Sequence, residues 1–129
     1  MRLLLDTHAW LWFRTGSPRL GPAARSAIVE PANDVAVSVA SVWEVGLKTT
    51  AGKLPLPQPF DTWLASALTA FDVLEISTQH VTAAVRLPPH HKDPFDRLLV
   101  AQAITGGLTL VTSDSLVQRY GGALLPADV

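Results

Sequence analysis

Short runs of branched apolar residues alternate with longer stretches of helical spacing, and this alternation constrains the chain most. The runs fall at 3–5, 35–37, 73–76 and 108–111, each too short for a helix and rich in Leu, Val or Ile. Such runs read as strands buried on both faces. Between them, 22–30, 39–50, 60–70, 78–87 and 94–105 repeat apolar residues every three to four positions, as in Phe60, Trp63, Leu64, Ala67 and Leu68. That spacing predicts amphipathic helices. Strand and helix in turn argue for an α/β domain whose central sheet is mostly parallel, with helices on both faces.

Two proline-rich stretches, 51–59 and 87–92, read as loops inside one unit rather than as linkers. With 129 residues and no internal repeat, 1–129 is expected to form a single domain. The chain has no cysteine, which excludes thiolate zinc sites, iron–sulfur clusters and disulfides. Any metal must therefore use oxygen or imidazole ligands. Asp6 and His8 interrupt the apolar start, and no run is long enough to span a bilayer, so a cytoplasmic protein with no membrane partner is expected. The 10 basic and 11 acidic residues at first argue against a phosphate-binding protein.

In open parallel sheets, ligands bind beyond the carboxyl ends of the strands. Asp6 follows the first run directly. Ser38 follows the second and opens the stretch that carries Glu44, and Thr112-Ser113-Asp114 follows the last. Asp93 and Asp96 open the helix that leads into that last run. Each acid has a plain structural role: Asp6 as a cap of a turn beginning at Thr7, Glu44 as the partner of Lys48 four residues on, Asp93 as an N-cap before Pro94 with Asp96 completing a capping box, and Asp114 at a helix start.

Together they ask for more. Glu44 lies about 60° from Leu47 on a helical wheel, at the edge of its apolar stripe. It can reach inward over the same sheet edge as Asp6, Asp96 and Asp114. Carboxylates so placed repel and raise one another's pKa. A hard divalent cation, Mg2+ or Mn2+, removes that penalty. Held by carboxylates with open water positions, such a cation activates water and orients a phosphodiester. No nucleophile elbow, Cys/His pair or phosphate-cradling glycine loop offers another route, since Gly106-Gly107 ends a helix.

The strings LLLDTHAWLW, SVASVWEVGLK, HKDPFDRLLVAQA and LVTSDSLV, in this order and spacing, resemble a PIN-domain protein of the VapC type, the ribonuclease toxin of a VapBC toxin–antitoxin pair. The resemblance runs from Met1 to about Gly121. It implies a three-layer α/β/α PIN-like domain with a central sheet of four or five strands, acting as a Mg2+- or Mn2+-dependent endoribonuclease. Carried over by motif, Asp6, Glu44, Asp96 and Asp114 would be the catalytic acids that bind one or two ions. Asp93 would be an accessory acid, and Thr112 would hold the last loop. The resemblance also implies a homodimer and a small VapB-like antitoxin lying across an apolar groove.

The remaining residues carry paired readings. The Thr7 hydroxyl bonds a metal-bound water or caps a helix. His8 and His91 read as hydrogen-bonded structure rather than ligands, and Trp10, Trp12 and Phe13 as core or dimer face. Arg97, Lys48 and Lys92 hold RNA phosphates or pair with the carboxylates. Two rival functions stand beside the nuclease: a catalytically silent PIN scaffold acting through its partner, and a phosphoacceptor or phosphatase-like domain. The second suffers because Asp6 is followed by Thr7 and the third run ends in Ser77 with no Asp. If Asp6, Glu44, Asp93, Asp96 and Asp114 form one cluster, removing five negative charges from −1 leaves the rest of the chain at +4, a sign that suits RNA.

Overall fold

The side chains of Leu3, Leu4 and Leu5 alternate between two packing faces, and this period-two pattern organises the molecule. Leu3 and Leu5 join Val35, Val37 and Val111 in one core, while Leu4 joins Ala40, Leu108 and Leu110 in another. The computed structural model describes residues 1–129. Its five strands are β1 (Arg2–Leu5), β2 (Asp34–Ser38), β3 (Asp72–Leu74), β4 (Thr109–Thr112) and β5 (Leu124–Pro126). They form one sheet in the order β3-β2-β1-β4-β5, and every neighbouring pair is parallel.

Seven helices connect them: α1 (Thr7–Thr15), α2 (Pro22–Val29), α3 (Val39–Thr50), α4 (Phe60–Ala67), α5 (Thr78–Arg86), α6 (Pro94–Gly106) and α7 (Ser115–Gln118). Helices α1, α2 and α4 bury Trp10, Ala24, Ile28, Trp63 and Ala67 in the first core. Helix α6 buries Leu99, Val100 and Ala103 in the second, with Val117 of α7. Helix α3 contributes Val45 to one and Ala40 to the other, so it bridges the layers at the sheet's carboxyl edge. The three-layer α/β/α architecture expected from sequence is the one observed.

The structure departs from the sequence reading at four places. The third apolar run, read as 73–76, forms a strand only over Asp72–Leu74. Ser77 then caps α5 through a reciprocal capping box with His80, so the chain leaves the sheet early. Helix α4 stops at Ala67 rather than at 70. The tail, where the sequence pattern places no strand, pairs Leu124 with Leu110 and Leu125 with Val111, closing the sheet as β5. Residues 7–15, read only as a turn beyond Asp6, form the full helix α1, ended by Gly16 in the left-handed conformation (φ 66°).

Trp10 is fully buried beneath the sheet, its indole Nε1 donating to the Ala67 carbonyl at 3.1 Å and its ring 5.2 Å from that of Trp63. It is core, and Trp12 and Phe13 pack partly buried against the same core. Truncation would leave both a cavity and an unpaired carbonyl. Trp10→Ala is expected to destabilise the fold by about 3–5 kcal/mol, read as a fall in the urea midpoint at unchanged slope.

Candidate functional site

Winding from β1 to β2 to β3 goes one way, and the chain then returns to place β4 and β5 on the far side of β1. The order therefore reverses between β1 and β4, and the crevice beyond their carboxyl ends is where an open α/β sheet binds ligands. Asp6 follows β1 and Asp114 follows β4 by two residues, so the two flank this crevice.

Helix starts aim the acids. Asp6 caps α1, its Oδ1 accepting from Ala9 N at 2.7 Å. Asp114 caps the short α7, its Oδ1 accepting from Leu116 N at 2.8 Å and Val117 N at 3.4 Å. Asp93 caps α6, its Oδ1 accepting from Phe95 N at 2.8 Å and Asp96 N at 3.2 Å. In each cap one carboxylate oxygen is tied to the backbone, which orients the other. Thr112 Oγ1 accepts from Asp114 N at 3.0 Å, at the start of the loop that follows β4. Its hydroxyl also donates to Asp6, joining the two strand ends.

Glu44 combines its two sequence readings. It is buried to 6% exposure, with Oε1 accepting from the Thr7 hydroxyl at 2.6 Å and Oε2 paired with Lys48 Nζ at 2.7 Å. Thr7 also meets Ser41 Oγ at 2.9 Å. Thr7 thus steers Glu44 from α1, across the crevice's edge.

The capping box expected between Asp93 and Asp96 is only half formed. The Asp93 amide donates not to Asp96 but to His91 Nδ1 at 3.0 Å, and Asp96 turns toward the sheet edge. There His91 Nε2 lies 3.1 Å from Asp96 Oδ2 and 2.9 Å from Asp114 Oδ2. His91, Asp96 and Asp114 offer ligand atoms that all lie within 4.8 Å of one another. Asp6 and Glu44 stand outside that tight trio but are coupled to it through space: Glu44 raises the pKa of Asp96, and Asp114 raises that of Asp6.

Arg97 is placed differently from expectation. Its guanidinium meets no carboxylate and instead donates to the carbonyls of Ala84, Leu87, Pro88 and His91 and to the Tyr120 hydroxyl, at 2.7–3.2 Å. Five donors in a rigid fork suit such a cluster of acceptors, and the result is a clasp that folds the 87–92 loop over the start of α6. The His91 amide donates to the same Tyr120 hydroxyl at 2.9 Å. His91 itself reads from sequence as structure only. Of its two partner carboxylates, Asp114 lies 23 positions away, so the local signal is a histidine two residues before an N-cap aspartate and five before Asp96.

Charge accumulates at this edge in a dry setting. Burial pushes Asp6 above the usual carboxylate range, against hydrogen bonds from Ala9 and Thr112. Burial and the neighbouring Asp93, Glu44 and Asp114 carboxylates push Asp96 up to about 7, against the pull of His91. Partial burial also pushes on Asp114, but hydrogen bonds from His91, Leu116 and Val117 outweigh it and hold Asp114 low. Hence the metal-free edge tolerates its acids through a proton on Asp96, the His91 ring and the Lys48 ammonium.

Comparison with known proteins places these residues in context. The PIN domain family matches residues 3–123. Ribonuclease VapC22 of Mycobacterium tuberculosis is 34% identical over 119 residues, 92% of this chain and 91% of that relative. Among solved structures, VapBC2 from Rickettsia felis, bound to a DNA fragment from their promoter, matches at TM-score 0.74 with 17% identity, covering 97% of this chain and 98% of that one. DNA-bound VapBC from Salmonella typhimurium matches at TM-score 0.72 with 16% identity over 97% of each chain. At such identities the solved structures speak for the fold.

The raised Asp96 pKa has a measurable sign. Folding lifts this carboxyl from 3.8 to about 7, so across that window the folded state keeps a proton that the unfolded state has lost. Stability of the metal-free protein therefore falls as pH rises from about 4 to 7, and Asp96→Asn flattens that fall. Chemical denaturation across this range, with the chain stripped of divalent ions, checks it.

Proposed function

The chain belongs to the PIN-domain family, and on that premise we propose that it is a divalent-metal-dependent endoribonuclease, the toxin of a type II toxin–antitoxin pair. One observation carries the reading: Asp96 and Asp114 come together beside the crevice between β1 and β4, with Asp6 near enough to Asp114 and Glu44 near enough to Asp96 for their charges to be felt, in a setting that raises the pKa of Asp6 and Asp96. The relative sharing 34% identity is a ribonuclease by name, which supports RNA as the substrate.

The donor set fits a hard cation. It is made of carboxylate oxygens, those of Asp6 and Asp96 raised in pKa by burial and by neighbouring carboxylates, and adding positive charge at that point reverses the penalty. Asp6, Glu44, Asp96 and Asp114 would hold one or two Mg2+ or Mn2+ ions. A bound ion would acidify a water, orient the phosphodiester and offset charge on the leaving oxygen. Every other task falls to the chain. The helix caps at Asp6 and Asp114 fix which oxygen faces the crevice. Thr7 aims Glu44, and Thr112 ties Asp6 to the Asp114 loop. Lys48, with its side chain 42% exposed beside Glu44, is a cation placed to meet an RNA phosphate. Asp93 acts as a cap and a source of negative potential on Asp96 rather than as a ligand.

Partners follow from uncovered apolar surface. Trp43 and Val85 are 60% and 75% exposed, with Leu47 and Val81 also exposed, on α3 and α5. A second copy of the chain is the proposed cover for these side chains. On the opposite side, Leu11, Trp12, Leu54, Leu56 and Trp63 line a groove of about 560 Å³, which suits an apolar segment of a small antitoxin. No helix is long and apolar enough to cross a membrane, and a cytoplasmic location accords with an RNA substrate.

Two outcomes test this reading. The purified chain, freed of any antitoxin, is expected to cleave RNA with Mg2+ or Mn2+ and to stop on chelation, and Asp6→Asn is expected to slow cleavage by about a hundredfold or more. Undiminished cleavage by that variant would remove Asp6 from the site. Light scattering is expected to give a dimer mass that Val85→Glu converts to a monomer while the thermal midpoint holds.

A further inference from the structure

Arg97 pins the 87–92 loop at Leu87, Pro88 and His91, and the loop delivers the ring of His91 to the acids. Arg97 and Tyr120 hold its backbone. The ring then spans two partners of opposite kind. Its Nδ1 faces an N–H, that of Asp93 at 3.0 Å, and so must present a lone pair. In a neutral imidazole the proton then sits on Nε2, the nitrogen facing Asp96 Oδ2 and Asp114 Oδ2. The backbone amide selects the tautomer.

A ring so held cannot ligate a metal through Nε2, because that nitrogen has no free lone pair. It is a donor to carboxylates that come from different elements, one on α6 and one ahead of α7. We propose that His91 is a positioning residue, its Nε2–H joining Asp96 and Asp114 at one point so that both face the crevice together. Asp114 makes the consequence concrete. Its Oδ1 is committed to the α7 amides, and Oδ2 keeps one lone pair free beside the His91 bond. A cation can therefore share Oδ2 with His91 instead of displacing it. This role rests on the metal-site reading above but assigns His91 to the support of the ligands and not to their number. Outer hydrogen bonds of this kind typically hold about 10–100-fold in metal affinity.

Two measurements test it. In the metal-free chain, 15N NMR of the histidine rings is expected to show His91 as the Nε2–H tautomer, and an Nδ1–H ring would overturn the proposal. That readout needs neither metal nor RNA, so its failure is distinct from failure of the ribonuclease reading. In Mn2+ titrations followed by electron paramagnetic resonance, His91→Ala is expected to weaken binding by about 10–100-fold. His91→Gln, whose amide places an N–H near the Nε2 position, is expected to restore most of it. The spectrum of the unsubstituted chain should lack a directly coordinated nitrogen. Unchanged affinity in His91→Ala, no recovery in His91→Gln when both variants give native circular dichroism, or a coordinated imidazole nitrogen would each overturn the assignment.

Discussion

Everything at the sheet's carboxyl edge answers to one electrostatic problem: several carboxylates converge in a place too dry to let them all ionise. Asp6 is buried at the end of β1 and Asp96 holds its proton to about 7, while Glu44, also buried, pairs with Lys48. A structure without purpose for such a cluster would disperse it, since like charges in a low dielectric repel strongly. Here each acid is instead pinned. Three of them cap helices, so one oxygen is fixed by backbone amides and the other is directed.

The fold supplies the stiffness this requires. Two cores, one on each face of β1, fix the central strand through Leu3, Leu4 and Leu5, all at 1% exposure or less. The strand cannot slide by one residue without exchanging its two packing faces. Asp6, the next residue, inherits that position. Arg97 plays the same part for the opposite wall, binding the loop that bears His91 to Tyr120 and to the end of α5. The near-neutral sum of charge hides this division, with negative charge gathered at one edge and a positive remainder over the rest.

Much of this was legible in the sequence because it is local. Strands stood out as apolar runs, and the ends of β1, β2 and β4 located Asp6, Ser38 with Glu44, and Asp114. Helix caps were legible at Asp93 and Asp114 for the same reason. What was hidden depends on contacts across the chain. The strand β5 is three residues between glycines and Ala127, with no pattern of its own, and exists because β4 offers it an open edge. Arg97 reads as a phosphate ligand from its place beside Asp96, yet five nearby oxygen acceptors claim it. His91 looks structural until Asp114, 23 residues on, folds back against it. The exposure of Trp43 was equally silent, because α3's apolar stripe does not reveal which part the core covers.

If the acids between β1 and β4 exist to hold a divalent cation, the cation should be visible there. Crystals of the protein soaked in Mn2+, with anomalous scattering recorded at the manganese edge, would locate it. A peak bonded to oxygens of Asp6, Asp96 and Asp114 is expected, with the His91 ring hydrogen-bonded to the carboxylates and outside the coordination sphere. Full Mn2+ loading with no peak in that crevice, or with the peak elsewhere on the chain, would contradict the assignment.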